Sequence, residues 1–305
     1  MPTFRLALDW TPNINHIGFF VAHAKGFYHD RGLEVTIIDP ADDNYALTPA
    51  KRVELGHAEV ALCPTESVIS YRTKATPFDL IGIATVFQYD LSAISVKADA
   101  GIASPRDLDG RSYASYQARY EDEIVRQMIR NDGGQGDIQV GYPAKLGIWA
   151  TLLDGDYDAT WIFRNWEGVA ADTQGVNLRH FAMRDYDVPY SYSPLIVASE
   201  AQIAADEDVY RHFLAATQAG FLFAAKHRDE AVELLRSHVP STDAHIDLWH
   251  ALDVSVDALG TEGTWGTMDE ATVERFLTWL RERGLESHPL AVDDIVTNRL
   301  LASIG

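Results

Sequence analysis

The chain has 305 residues, 47% of them hydrophobic and 23% charged, which is a globular composition with length enough for two medium domains. With 25 Lys and Arg against 45 Asp and Glu, the formal charge of −20 and the lack of any basic run argue against a nucleic-acid or anionic-membrane partner. The single cysteine, Cys63, excludes an internal disulfide framework and any multi-cysteine metal site.

In chain order, Phe4, Leu6 and Leu8 alternate with Arg5, Ala7 and Asp9, the period of a short strand. Ile17, Phe20, Val21 and Ala24 then recur at helical spacing up to Gly26. A second strand is expected over 33–38, a helix over 45–55 stopped by Gly56, and a strand over 59–62. A helix over 64–74 and a strand over 80–86 follow. The alternation restarts after Leu91, with strand candidates near 92–96, 111–115, 137–140 and 157–163. From about residue 200 the chain turns helical, at 205–226, 228–238, 243–254 and 268–283. The last helix opens on a capping-box-like Thr267-Met268-Asp269-Glu270 and ends before Gly284.

This order predicts an α/β protein with a largely parallel sheet. Leu55-Gly56-His57-Ala58-Glu59-Val60-Ala61 and Leu153-Asp154-Gly155-Asp156-Tyr157-Asp158-Ala159 both end a helix and enter a strand, which suggests two similar lobes. The division expected is 1–90 plus 195–305 for one lobe and 91–194 for the other, with hinge strands near 87–92 and 191–197. No window approaches about 18 consecutive apolar residues, so no membrane insertion is expected. The N-terminus enters its first strand without an export signal. The expectation is therefore a cytoplasmic protein as written, or a periplasmic or cell-surface one if a signal was removed.

The most distinctive stretch, Leu8-Asp9-Trp10-Thr11-Pro12-Asn13-Ile14-Asn15-His16-Ile17-Gly18, sits where the first strand ends and the first helix begins. Ligands of open α/β sheets bind there. Trp10 offers a flat apolar face, and Asn13, Asn15 and His16 offer directional hydrogen bonds, a set suited to a flat heteroaromatic ligand. The same residues also read as a core tryptophan, helix-capping asparagines and an exposed histidine. In the second half, Ser115-Tyr116-Gln117-Ala118-Arg119-Tyr120-Glu121-Asp122-Glu123 spans a strand end and a helix start. Its three acids either complement the helix dipole on a solvated face or oppose a phosphate, with Arg119 in partial compensation. Trp161, Glu167 and Tyr190 are further cleft candidates, Glu167 as acceptor for an amino group and ring nitrogen. Tyr186, Tyr190 and Tyr192 either close over a ring or pack as strand residues. Glu66 and Ser67 follow a strand end after Pro64, and Cys63 reads as a small buried residue. No histidine spacing supports a metal site, and no Gly-x-Ser-x-Gly elbow supports serine catalysis.

Asp9-Trp10-Thr11-Pro12-Asn13-x-Asn15-His16-x-Gly18, with Ala24-Lys25-Gly26-Phe27-Tyr28, Gly32-Leu33-Glu34-Val35, Tyr186-Asp187-Val188-Pro189-Tyr190 and Gly263-Thr264-Trp265-Gly266-Thr267-Met268, resembles a family with two branches. One holds bacterial ThiY-type binding proteins for formylaminopyrimidine, the other fungal NMT1/THI5-type enzymes that make the thiamine pyrimidine. The resemblance covers nearly the whole chain. It implies the type II periplasmic-binding-protein fold, two α/β lobes with a hinge and an inter-lobe cleft. The enzyme branch implies pyridoxal phosphate, a Schiff-base lysine and a reactive histidine. Those positions here are Cys63 and Ser67, and Val188–Pro194 carries no cysteine for the fungal iron-associated stretch.

The expectation is thus a non-enzymatic solute-binding protein without cofactor, for a formylaminopyrimidine-like thiamine precursor, serving an ABC transporter permease if exported. Trp10 and a tyrosine would clamp the ring, Asn13 and Glu167 would read its edge, and Glu66 or Tyr120 would complete the polar contacts, with His16, Tyr116, Trp161 and Tyr190 also at the site. The alternatives are a synthase of the NMT1/THI5 type, or a binder of another ligand, riboflavin-like or a sulfonate held by Arg119.

Overall fold

The computed structural model describes residues 3–144 and 148–301. Its strands are β1 (Thr3–Ala7), β2 (Glu34–Ile38), β3 (Val60–Cys63), β4 (Leu80–Thr85), β5 (Ser92–Lys97), β6 (Ser112–Ala114), β7 (Gln139–Gly141), β8 (Ala159–Phe163), β9 (Leu178–Phe181) and β10 (Leu195–Ser199). The helices between the strands are α1 (Ile17–Ala24), α2 (Pro49–Glu54), α3 (Thr65–Thr73), α4 (Glu121–Asn131), α5 (Ile148–Asp154) and α6 (Val169–Thr173). After β10 come α7 (Glu200–Ala205), α8 (Glu207–Lys226), α9 (Arg228–Arg236), α10 (Leu248–Ser255) and α11 (Glu270–Glu282).

Two five-stranded sheets form, in the orders β2-β1-β3-β10-β4 and β7-β6-β8-β5-β9. They are α/β lobes joined by two crossings, residues 86–91 between β4 and β5 and residues 182–194 between β9 and β10. Each sheet is mixed, with four strands running one way and a single strand against them. β10 runs antiparallel to β3 and β4, and β5 runs antiparallel to β8 and β9. Each of these strands leads directly out of a crossing, so it enters its sheet from the cleft side, against the direction of the strands that precede helices. Tyr186, Tyr190 and Tyr192 lie in the second crossing and belong to no strand.

The repeated glycine junction has a structural counterpart in both lobes. Gly56 and Gly155 each follow a helix with positive φ, 69° and 81°, a region where a side chain is strained. Three residues on, the acid closes onto the neighbouring strand: Arg5 N–H donates to Glu59 Oε2 at 2.6 Å, and Ser112 N–H donates to Asp158 Oδ2 at 2.8 Å. β3 and β8 then occupy the same central place in their sheets, each beside the antiparallel strand.

The helical return packs against the first lobe, where α8 lies against α1. Glycines set this approach. A Cβ on Gly220 would stand 2.0 Å from the Gly18 carbonyl oxygen, and one on Gly18 would stand 2.2 Å from the Phe221 ring. Because α1 continues directly from the loop after β1, this contact also fixes the loop that carries Asn13 and Asn15. Gly220→Ala is expected to lower stability by about 3 kcal/mol, the upper end of overpacking costs, because backbone must move. Denaturant unfolding measures it, and a change within ~0.5 kcal/mol would show the contact to be loose.

Candidate ligand cleft

Loops from both lobes meet over a cavity of about 350 Å³. They leave the carboxyl ends of β1, β3, β6 and β8, the ends at which α/β sheets gather ligand-binding groups. Trp10, Tyr116, Trp161 and Tyr190 line it, so aromatic faces come from both lobes and from the second crossing. Trp10 leans on Tyr45, with ring centroids 5.3 Å apart, and Trp161 meets Tyr190 edge-on at 5.1 Å.

The polar lining is acidic. Asp9, Glu66, Glu121 and Glu167 all face the cavity, and among the described residues no Lys, Arg or His lines it. Each carboxylate is supported by neutral donors. The Tyr190 hydroxyl donates to Glu66 at 2.8 Å (Oε1) and 3.0 Å (Oε2), and Phe163 N–H donates to Glu167 Oε2 at 3.0 Å. Glu121 accepts from Tyr113 Oη at 2.7 Å and from the backbone N–H of Tyr116 and Ala118, both at 3.0 Å. It is buried rather than on a solvated helix face, and it ties down a loop in which Gln117 and Tyr120 both have positive φ. Loss of water around Glu66 and Glu167 pushes both carboxyls up to about 7, and the same desolvation raises Glu121.

Of the nine residues expected at the site, seven line one cavity: Trp10, Asn13, Glu66, Tyr116, Trp161, Glu167 and Tyr190. His16 and Tyr120 do not. His16 is fully buried beneath the loop, where Nδ1 accepts from Asn13 N–H at 3.2 Å and Nε2 meets Asp9 Oδ1 at 2.9 Å. The ring proton is thereby placed on Nε2. Tyr120 points to the rim, its hydroxyl donating to Glu286 at 2.7 Å. Arg119 pairs with the same Glu286 carboxylate and donates to Thr73 Oγ1 at 2.7 Å, so it supplies no anion site in the cavity. Asn13 lines the cavity, but its amide serves the loop: Oδ1 accepts from Asn15 N–H at 2.8 Å, and Nδ2 donates to Thr11 O at 3.0 Å. Asp9 and Asn15 also line the cleft. Both stand inside the N-terminal motif. Sequence offers Asn15 with Asn13 and His16 as a directional hydrogen-bonding group, and its place two residues after the capping asparagine keeps its own side chain out of the cap.

The family described as NMT1/THI5 like matches residues 13–231. A formylaminopyrimidine-binding protein of Halalkalibacterium halodurans is 24% identical over 96% of this chain and 89% of its own. The riboflavin-binding protein RibY of Chloroflexus aurantiacus is 25% identical over 97% and 85%. Among solved structures, the alkanesulfonate-binding protein SsuA of Xanthomonas axonopodis pv. citri, bound to MOPS, superposes with a TM-score of 0.71 at 12% identity. That match covers 97% of this chain and 98% of the other, a shared fold of the periplasmic-binding-protein type.

The raised carboxyls imply a pH dependence of definite sign. The folded protein holds protons on Glu66 and Glu167 up to about 7 that the unfolded chain releases near 4.5, so unliganded stability falls as pH rises between those values and levels off above. Glu66→Gln keeps an acceptor for Tyr190 and cannot ionise. It is expected to raise Tm by roughly 2–5 °C at about pH 8 and to leave it unchanged at about pH 4. Thermal melts at the two pH values decide this, and equal shifts at both would contradict it.

Proposed function

The chain belongs to the NMT1/THI5-like family, and on that premise we propose that it is a solute-binding protein for a thiamine pyrimidine precursor, a formylaminopyrimidine-like heterocycle. It would hand this ligand from outside the cytoplasm to the permease of an ABC transporter. The observation that carries the reading is a cleft with aromatic walls and four carboxylates but no lining cation among the described residues. An aminopyrimidine brings a flat face for Trp10 and N–H donors for Glu167 and its neighbours. A phosphate or sulfonate would face four carboxyl groups with no cation among the described lining residues to neutralise it. The cavity, about 350 Å³, is at the small end for ligand sites, which supports one ring over a flavin with its side chain.

An enzyme using pyridoxal phosphate is not supported by the same residues. Among the described residues no amine for a Schiff base lines the cleft, and burial raises the Cys63 thiol far above the range of a reactive thiolate. Binding would close the lobes by the hinge mechanism, with the ligand adding contacts that exist only when both lobes approach. Tyr190 on Glu66 and Arg119 on Glu286 already link segments of the two lobes.

Titration calorimetry with formylaminopyrimidine, riboflavin and an alkanesulfonate tests the assignment. The pyrimidine should bind at micromolar concentration or tighter, and the sulfonate should give no heat. Trp10→Ala should weaken the pyrimidine by about 10-fold through loss of one face of the clamp. Absence of both heat and thermal shift with the pyrimidine would reject it. No imine absorption band is expected on incubation with pyridoxal phosphate.

A further inference from the structure

Resting on the pyrimidine reading above, we propose that Asn15 is the residue that selects which edge of the ligand's ring the cleft accepts. It does so by presenting its amide NH2 as a directed donor, and Asn165 and Ser255, outside the cavity lining, lock that orientation.

Ser255 Oγ donates to the Ala251 carbonyl at 2.7 Å, so toward Asn165 it only accepts. Asn165 Nδ2 donates to Ser255 Oγ at 2.9 Å and to Asn15 Oδ1 at 2.7 Å. With its oxygen engaged, Asn15 has its Nδ2 left over, and that atom has no hydrogen-bond partner among the described residues. Asn15 lines the cavity, so this donor is available to a ligand. The reverse orientation is disfavoured. Asn165 is fully buried, and the arrangement found leaves only its carbonyl oxygen unpartnered. Turning both amides over would strand two N–H donors instead, the more costly defect. The lock also spans the molecule. Asn15 follows β1, Asn165 sits in the π-turn Arg164–Gly168 after β8, and Ser255 ends α10.

The Tyr116 hydroxyl and the indole N–H groups of Trp10, Trp161 and Trp166 also line the cleft, but Asn15 is the amide there whose donor is held in place by a second, buried amide. Asp9, Glu66, Glu121 and Glu167 accept when ionised and can donate or accept when protonated, Asn13 is committed to its loop, and the Ser67 and Ser193 hydroxyls rotate to suit either partner. A ligand that meets this fixed donor places an acceptor, a bare ring nitrogen or a carbonyl, opposite Asn15 while its amino groups meet the carboxylates. A site built to bond a polar group rejects the analogue that lacks it far more strongly than a site that merely fits its shape.

Calorimetry uses the full chain with formylaminopyrimidine and three analogues, each lacking one acceptor: the two deaza compounds with C–H for a ring nitrogen, and the amine without its formyl group. For wild type, one analogue should bind about 10-fold or more weaker than the parent. Asn15→Asp still accepts from Asn165 but turns an oxygen to the cavity. It should weaken the parent by about 10-fold and bring the parent-to-analogue ratio towards one. Asn165→Asp does not line the cavity, yet it forces Asn15 to donate outward and turn its carbonyl to the ligand, so it should lower the same ratio. General loosening of the cleft would weaken parent and analogue alike and leave the ratio intact, which overturns the inference. If Asn165→Asp shows no folding transition, Asn15→Asp decides alone. Wild type that binds none of the four compounds overturns the pyrimidine reading and this inference with it. Wild type that binds the parent with a ratio unmoved by Asn15→Asp overturns the inference alone.

Discussion

Four carboxyl groups gathered in one cavity, with no cation among the described residues that line it, are the constraint to which the cleft answers. Buried ionised acids are costly unless donors surround them. Each acid here draws a donor from a different place: Asp9 from the His16 ring, Glu66 from Tyr190 in the second crossing, Glu121 from the N–H groups of its own loop, and Glu167 from the end of β8. Solvating the acids therefore organises the loops. The donors provided are neutral and few, which leaves Glu66 and Glu167 with raised affinity for a proton. A ligand amine supplies the missing hydrogen bonds at the same sites, so the proton and the ligand stabilise the same groups by the same physics.

The two lobes repeat one solution. A helix ends on a positive-φ glycine, and an acid three residues later pins the adjacent strand edge, as in Gly56 with Glu59 and Gly155 with Asp158. The strand then runs towards the cleft and releases a ligand-facing turn, Pro64–Ser67 in one lobe and the π-turn with Glu167 in the other. Placing equivalent turns opposite each other is what brings Glu66 and Glu167 to a single cavity although they lie on separate sheets.

Much of this was legible in the chain. The alternation of strands and helices, the repeated junction and the end of β1 located both lobes and the cleft, because these depend on local period and on turn residues. The antiparallel strands were not legible: β5 and β10 look locally like any apolar strand, and their direction follows from the crossings they leave. Residue type and position at strand ends pointed to Trp10, Glu66 and Glu167, which line the cavity. Sequence could not divide labour among Asn13, Asn15 and His16. Asn13 caps, His16 lies beneath the loop, and Asn15 faces the ligand space, a division set by Asn165 and Ser255 far along the chain.

Arg119 shows how a shared backbone can present a different charge at its cleft. It stands beside the cleft loop of the second lobe, the place from which a cation could serve an anion. Its guanidinium instead pairs with Glu286, donates to Thr73 and stacks over Tyr120, 4.8 Å from the ring centroid. To meet a sulfonate it would have to abandon a charge-assisted bond to a carboxylate that is almost wholly buried, leaving Glu286 without its cation. The fold shared with a sulfonate-binding protein thus says little about charge preference. What differs between such folds is whether a cation is free at the strand ends or, as for Arg119 here, held at the rim.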